Sequence, residues 1–468
     1  MNLSGDFIIF NFSIIKSGPF LKKIESLIKN NSLSFTILLG ILLELCYLTF
    51  VLFQGERGNI ILYMVIYSIA FVFFFIAYLI INKKRLSRET QNFNKLEKLF
   101  NIKPALFFII IFGLLFRITL IPSHPSTSDD VYRYIWEGKI IYNGYNPFEI
   151  TPDDARLNYL HNKDFPRLVT FPNMTTIYPS AAQAVFVLGY IISGDSDTGL
   201  KIIYLFAELL TFVFLIKILR LRKQNENLVI LYSWLPLPIM ESFINSHIDV
   251  VGILFFVIFI YFILKNKYLL SVLPFALSVL TKLYPLIVFP LLIKKIGWKK
   301  TLNFGIILAA ICLILLYPFF PSNRPINASL FTYLKSWSFN GSVYSFLYGI
   351  LHNGYLAREI SLVLFIISIV IISIKYKDFL KGVYAAWISF IVFAATVYPW
   401  YLGWLAAVNP FFGFYSVLSL FFTVNFSNIT PLGDVWKEHT WVFLIEYIPF
   451  YFFLSLEFLF LKRNARKS

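Results

Sequence analysis

The chain has 468 residues, of which 58% are hydrophobic, 19% aromatic and only 14% charged, with a mean hydropathy of +0.72. A soluble domain carries about 25% charged residues, so this composition excludes a soluble enzyme or binding module and predicts a polytopic helical membrane protein. The net charge of +16 falls in short clusters between apolar runs, the pattern of the positive-inside bias and of contact with anionic membrane lipids, and not in a face for nucleic acid.

A spanning helix needs about 20 apolar residues. Runs 33–53 and 60–81 qualify, joined by the short segment 54–59. Segment 82–103 carries Lys83, Lys84, Arg85, Arg88, Lys95, Lys98 and Lys103, so it is expected inside, as is the N-terminal stretch 1–32. The apolar run 7–15 has no basic residue ahead of it and no small-residue cleavage site, unlike a secretory signal. Span 104–122 then runs outward into a first external loop, 123–177, with seven acidic and five basic residues. Within it 131–142 is predicted as an amphipathic helix on the membrane, and Asn143-Gly144-Tyr145-Asn146-Pro147 as a turn. The run 178–193 is short and expected to be re-entrant.

Span 201–219 leads inward, 228–245 outward and 249–264 inward again. Segment 268–293 has basic residues at both ends. It is expected as two short helices broken at Lys282-Leu283-Tyr284-Pro285, since the residue before proline leaves the helical region. Span 301–317 leads to a second external loop, 318–355, followed by 357–374 and 382–398. Run 402–424 is expected as a hairpin or re-entrant piece. The final span, 441–461, ends at Lys462, Arg463, Arg466 and Lys467, again inside. Both termini inside require an even number of crossings, 12 or 14. Two regions follow: 1–103, with two spans and the basic loop, and 104–468, a transmembrane bundle with the two external loops. Tyr-Pro recurs at 178, 284, 317 and 398, each time at an expected membrane edge or helix break. Cys46 and Cys312 lie in apolar runs and offer neither a disulfide framework nor a thiol metal pair.

Ionisable residues at a membrane boundary are costly unless they have work to do. The densest group is Ser128-Asp129-Asp130-Val131-Tyr132-Arg133-Tyr134-Ile135-Trp136-Glu137-Gly138. On a helix Asp129, Arg133 and Glu137 share one face, and Asp130 also reaches Arg133 at three-residue spacing. Arg133 can then hold one carboxylate while the other stays free as a general base; the alternative is a salt ladder of little energetic weight. Glu241, His247 and Asp249 meet between two spans and suit a phosphate, a sugar or a cation, or simply a polar turn. Too few ligands converge for a firm metal site. Lys282, set among apolar residues, suits a phosphate, or snorkels at a helix end. Trp337, Asn340, Trp400 and Tyr401 suit a sugar face, and equally an interfacial aromatic belt. There is no phosphate loop, nucleophile elbow or zinc signature.

The run Ser128 to Gly138, followed by Gly144-x-Asn146-Pro147-Phe148, resembles the first external loop of bacterial mannosyltransferase-like proteins of the GT-C superfamily. Thr176-Ile177-Tyr178-Pro179, Glu241 with His247-x-Asp249, Thr281-Lys282-Leu283-Tyr284-Pro285 and Tyr398-Pro399-Trp400-Tyr401 follow in order, so the resemblance covers about Pro104 to the C-terminus. Two spans precede the loop's own span, where the family often has none.

The resemblance implies an all-α integral membrane glycosyltransferase of the cytoplasmic (inner) membrane, acting at the extracytoplasmic face. It implies transfer of a hexose, mannose as the first guess, from a polyprenyl-phosphate donor to a glycolipid or glycan acceptor, with inversion. Asp130 is then the general base, chosen over Asp129 by its spacing to Arg133-Tyr134. Arg133, His247 and Lys282 are candidates for the leaving phosphate. Glu137, Tyr178, Glu241, Asp249, Tyr284, Trp337, Asn340, Trp400 and Tyr401 are further substrate-binding candidates. No cofactor is firmly implied, although a divalent cation is compatible. A transporter or flippase of lipid-linked sugars would concentrate charge at the midplane of broken helices. Here charge concentrates in a loop, which favours the enzyme over that reading and over a glycan ligase or polymerase.

Overall fold

The computed structural model describes residues 31–55, 58–83, 103–320, 325, 328–432 and 436–465. The N-terminal stretch 1–30 and the basic segment 84–102, on which the expected inside loop rests, lie outside the described residues. Among the described residues the chain is helical, and its only extended pairing is an isolated contact of Phe339 and Asn340 with Thr396.

The helices are α1 (Ser32–Phe53), α2 (Ile60–Lys83), α3 (Pro104–Thr119), α4 (Asp130–Tyr142), α5 (Ser180–Ser193), α6 (Thr198–Leu221), α7 (Ile230–Ser233), α8 (Pro236–Phe243), α9 (Asp249–Leu264) and α10 (Tyr268–Thr281). They continue as α11 (Leu291–Ile296), α12 (Trp298–Leu316), α13 (Ala328–Ser336), α14 (Ser342–Leu351), α15 (Gly354–Lys375), α16 (Phe379–Phe393), α17 (Leu402–Val408), α18 (Tyr415–Thr423) and α19 (Thr440–Ala465). Six described helices are long and apolar enough to cross a membrane, and six more apolar helices run 10–17 residues. This is a multispan helical membrane protein.

Proline sets most of the breaks. The single span expected over 228–245 is instead three pieces: a short 3-10 turn, then α7 and α8. Leu235 is extended ahead of Pro236, as the residue before proline prefers. Segment 268–293 divides where expected, with Lys282 extended at the end of α10 and a 3-10 turn from Tyr284 to Val288. Run 402–424 is likewise broken, into α17, a 3-10 turn and α18. The second loop, 318–355, is not irregular: α13 and α14 lie within it.

The first-loop helix departs most from expectation. α4 does not lie on the membrane with one face out. From Val131 to Ile140 every residue except Tyr132 is buried, and α5 packs along one side. The approach is close enough that a Cβ on Gly138 would stand 2.3 Å from the Phe186 carbonyl oxygen. Trp136 stacks on Phe165 across the other side, with centroids 6.0 Å apart. Burial is tolerated because every charge on the helix after Asp130 is paired: Arg133 with Glu137 at 3.1 Å and Lys139 with Asp195 at 2.9 Å.

Inside the bundle Arg117 of α3 pairs with Glu208 of α6 at 3.0 Å, both fully buried. Tyr232 donates to the same carboxylate at 2.9 Å. The first and second loops meet at one end of the molecule, where Phe171 packs on Trp337 with centroids 4.8 Å apart and Asn146 donates to the Phe319 carbonyl at 3.0 Å. α15 joins this end to the other. Arg358 near its start donates to the Trp337 carbonyl at 2.8 Å, and the Ile374 carbonyl near its finish accepts from Lys294. Arg222 meets Asp378 at that second end, at 3.0 Å. The 22 residues of α15 span about 33 Å at 1.5 Å per residue, close to the apolar thickness of a bilayer.

Candidate active site

The aspartate pair sits where the chain leaves α3 and enters α4. Asp129 occupies the N-cap position and Asp130 opens the helix, where the helix dipole favours negative charge. The approach is fixed by Asn245, at the far end of α8. Its Oδ1 accepts from the backbone N–H groups of Ser126 and Thr127, each at 3.1 Å. Its Nδ2 donates to Thr127 Oγ1 at 2.7 Å and to Glu241 at 3.0 Å. Asp130 Oδ2 accepts from the Tyr178 hydroxyl at 3.3 Å. Burial pushes the Asp130 carboxyl above its usual range, and the Lys282 ammonium, the Tyr178 hydrogen bond and Arg133 counteract only part of that. Asp129 is exposed, and partial burial pushes its carboxyl up as well.

Arg133 grips neither aspartate. Its guanidinium donates to Glu137 at 3.1 Å and to the carbonyls of Thr170, Phe171 and Met174 at 2.8–3.3 Å. The other Glu137 oxygen accepts from Thr176 at 2.8 Å and from Gln183 at 2.7 Å. Glu137 is therefore taken up on both oxygens and holds the first loop against α5. The hold of Arg133 on one aspartate, expected from the spacing, is not made, because Asp129 precedes the helix and Glu137 and the 170–174 backbone take up the arginine.

Lys282 lies opposite. Its ammonium meets Asp249 Oδ2 at 2.5 Å and lies 5.5 Å from the Tyr401 ring and 5.8 Å from the Tyr284 ring. Trp404 Nε1 donates to the other Asp249 oxygen at 2.8 Å. Asp249 thus anchors the lysine. Glu241 accepts from Tyr63 of α2 at 2.8 Å, which ties the N-terminal helices into the same polar layer. His247 is fully buried and stacks on Trp400 with centroids 3.8 Å apart. Trp400 stacks in turn on Tyr398, at 4.4 Å, and Tyr398 on Phe339, at 4.6 Å. A column of four rings therefore links the second loop to the polar layer.

These groups surround a cavity of about 970 Å³. Asp129, Asp130, Arg133, Tyr178, Lys282, Tyr284, Trp337, Trp400 and Tyr401 line it. Glu137, Glu241, His247 and Asp249 stand behind its wall. Asn340 is set apart: its backbone and side chain bond to Glu438, Glu446 and Tyr447 at 2.6 Å each, so it clamps the second loop to α19. Tyr333 was not singled out in the sequence. It lines the cavity and its hydroxyl lies 2.6 Å from that of Tyr401. A second hollow of about 460 Å³, lined by Leu286, Ile287, Pro290, Ile293, Phe365, Ile369 and neighbours, is almost wholly apolar apart from Lys294 and Ser373. Ile287 and Phe365 line both spaces. Among the described residues no three His, Cys, Asp or Glu side chains gather as a metal-binding group.

Residues 42–296 match the model of the MptA_B family, described as alpha-(1->6)-mannopyranosyltransferase, N-terminal domain. The chain belongs to this family. The match begins within α1 and takes in α2 and α3. It ends with α11, which takes in Asp130, Tyr178, Asn245, Asp249 and Lys282. No curated protein and no solved structure matches the chain.

For a membrane mannosyltransferase this arrangement offers two complementary walls. A carboxylate raised by burial and partly open to the cavity can accept a proton from a sugar hydroxyl. An ammonium facing the same space can stabilise charge that develops on a departing group. Between them Tyr284, Tyr401, Trp400 and Trp337 present flat faces suited to sugar rings.

Proposed function

We propose that the chain transfers a mannosyl unit from a polyprenyl-phosphate donor to a glycan or lipid-linked acceptor, at the extracytoplasmic face and with inversion. The carrying observation is that the two spaces adjoin: the cavity lined by Asp130 and Lys282 and an apolar groove share Ile287 and Phe365 in their walls. A lipid-linked sugar has that shape, with head group in the cavity and isoprenoid chain in the groove.

Asp130 takes the proton of the acceptor hydroxyl as that oxygen attacks the anomeric carbon. The bond from that carbon to the phosphate oxygen breaks, and the electron pair leaves with the polyprenyl phosphate. Lys282 faces the leaving phosphate, held in place by Asp249. The α-(1→6) linkage in the family's name makes a primary 6-hydroxyl the first acceptor group to test.

The test is incubation of the purified full-length chain with labelled polyprenyl-phosphate mannose and a total membrane lipid extract. A mannosylated product, with none from a nucleotide-linked mannose, supports the reading. Movement of labelled lipid across a bilayer with no product formed would replace it with a flippase.

A further inference from the structure

We propose that His247 relays the acceptor's proton from Asp130 to Glu241, a step that rests on Asp130 being the base. The imidazole lies between the two carboxylates, with Nδ1 3.9 Å from Asp130 Oδ2 and Nε2 3.5 Å from Glu241 Oε2. Neither ring nitrogen has a hydrogen-bond partner among the described residues, although the residue is fully buried. A buried polar group left in that state in a well-packed region calls for a reason. The ring plane is fixed by the stack on Trp400.

The backbone is fixed as well. Ser246 holds a φ of +58°, a left-handed conformation costing a serine on the order of 1 kcal/mol or more. The Tyr204 hydroxyl donates to its carbonyl at 3.1 Å, and its own hydroxyl donates to Asp197 at 2.9 Å. The result is a ring held in place between two acids.

The groups facing His247 are Asp130 from α4, Glu241 from α8 and Lys282 from the end of α10, with Asp249 at the start of α9 already taken up by Lys282. Burial and the Lys282 ammonium push the imidazole well below its usual pKa, so it is neutral, with one N–H donor and one free acceptor. Glu241 receives donors only, from Tyr63 and Asn245, which suits a carboxylate able to take a proton.

The step balances as follows. Asp130, protonated by the acceptor hydroxyl, gives that proton to Nδ1 while Nε2 releases its own to Glu241. The imidazole ends neutral in its other tautomer, and one proton has moved from the cavity wall to the layer behind it. Substrates fill the cavity at that moment and close the open side of Asp130. Its side chain is 31% exposed and held only by the 3.3 Å bond from Tyr178 among the described residues, so a small turn would shorten the first gap. Catalytic hydrogen bonds are commonly long before substrate binds.

The experiment compares wild type, Asp130→Asn, His247→Phe and His247→Gln, with polyprenyl-phosphate mannose as donor and the membrane lipid extract as acceptor. Phenylalanine keeps a flat ring on Trp400 and removes the relay. The expected result is a kcat lowered by about 10-fold or more, part of the roughly 10²–10⁴ typical of proton-transfer catalysis, with donor KM unchanged. Turnover of the variant should also rise with the concentration of a small buffer base at constant pH, because the proton must now leave Asp130 for solvent; wild type should not respond. Should His247→Phe fail to fold, His247→Gln is read in the same way. Full kcat without buffer dependence in a folded variant overturns the relay. Full turnover by Asp130→Asn would overturn the base itself, a separate result.

Discussion

At the residue scale the site is a pair of opposed charges, each held by a neighbour that does not itself face substrate. Asp130 depends on Asn245, whose amide fixes the two backbone N–H groups just ahead of it. Asn245→Ala should lower kcat by about 10²-fold with donor KM little changed, since small misplacements of reacting groups cost that much. Steady-state kinetics would show it, and an equal rise in KM would point to a binding defect instead. Asp130→Asn should lower turnover by roughly 10²–10⁴-fold.

The acid limb of kcat/KM should report Asp130. Burial raises its carboxyl, so the limb should lie above the ordinary aspartate value of about 4. Lys282 is the first of the groups opposing that rise. Lys282→Met therefore leaves the carboxyl higher still, and the limb should move to higher pH; a shift to lower pH would contradict the assignment. The same change leaves Asp249 buried without its cation, at a cost of about 3–5 kcal/mol. Lys282→Met with Asp249→Asn should recover most of the lost thermal stability but not the lost transfer.

The place of Asp130, at the start of a helix just after a span, was legible in sequence because its neighbours in the motif are local. Glu137 beside Arg133 was legible for the same reason, but the carbonyls that share the arginine were not, since they lie some forty positions on and only the fold brings them near. Asn245 stood inside a run already singled out, but an asparagine before a serine reads as a turn. Tyr63 could not be found at all, 178 positions from the glutamate it serves.

At the scale of elements, periodicity and proline went far. α9 runs over the stretch its hydropathy predicts, and the break at Lys282 follows from Pro285. The run 228–245 misled because its apolar content satisfies a spanning helix while Pro236 and Pro238 forbid one. α4 misled for another reason. Its charges suggest a wet face, yet they are neutralised in pairs, and Gly138 lets α5 come against its backbone. Gly138→Ala should force the two helices apart and cost about 1–3 kcal/mol, as overpacking does. Thermal unfolding would measure it, and activity should fall with it because Asp130 opens the same helix. An unchanged midpoint would show that the contact yields without strain.

At the scale of the molecule, the two loops gather at one end and the described basic turns at the other, 33 Å apart by the length of α15. In a cysteine-free background, Lys163→Cys in the first loop should react with an impermeant thiol reagent applied to intact cells, and Lys377→Cys should not. The reverse labelling would turn the enzyme over in the membrane.

The groove beside the cavity is open on its flank. Ile293, Ile366, Val370 and Ile374 are each more than half exposed, so its outer rim faces the bilayer and not water. A donor that enters by that rim arrives by diffusion in two dimensions, and its effective concentration is its mole fraction among the lipids. Adding inert lipid or detergent at a fixed total amount of donor should therefore slow the reaction, while diluting the whole suspension with buffer should leave the rate per enzyme unchanged. An enzyme that draws its donor from solution would respond the other way round.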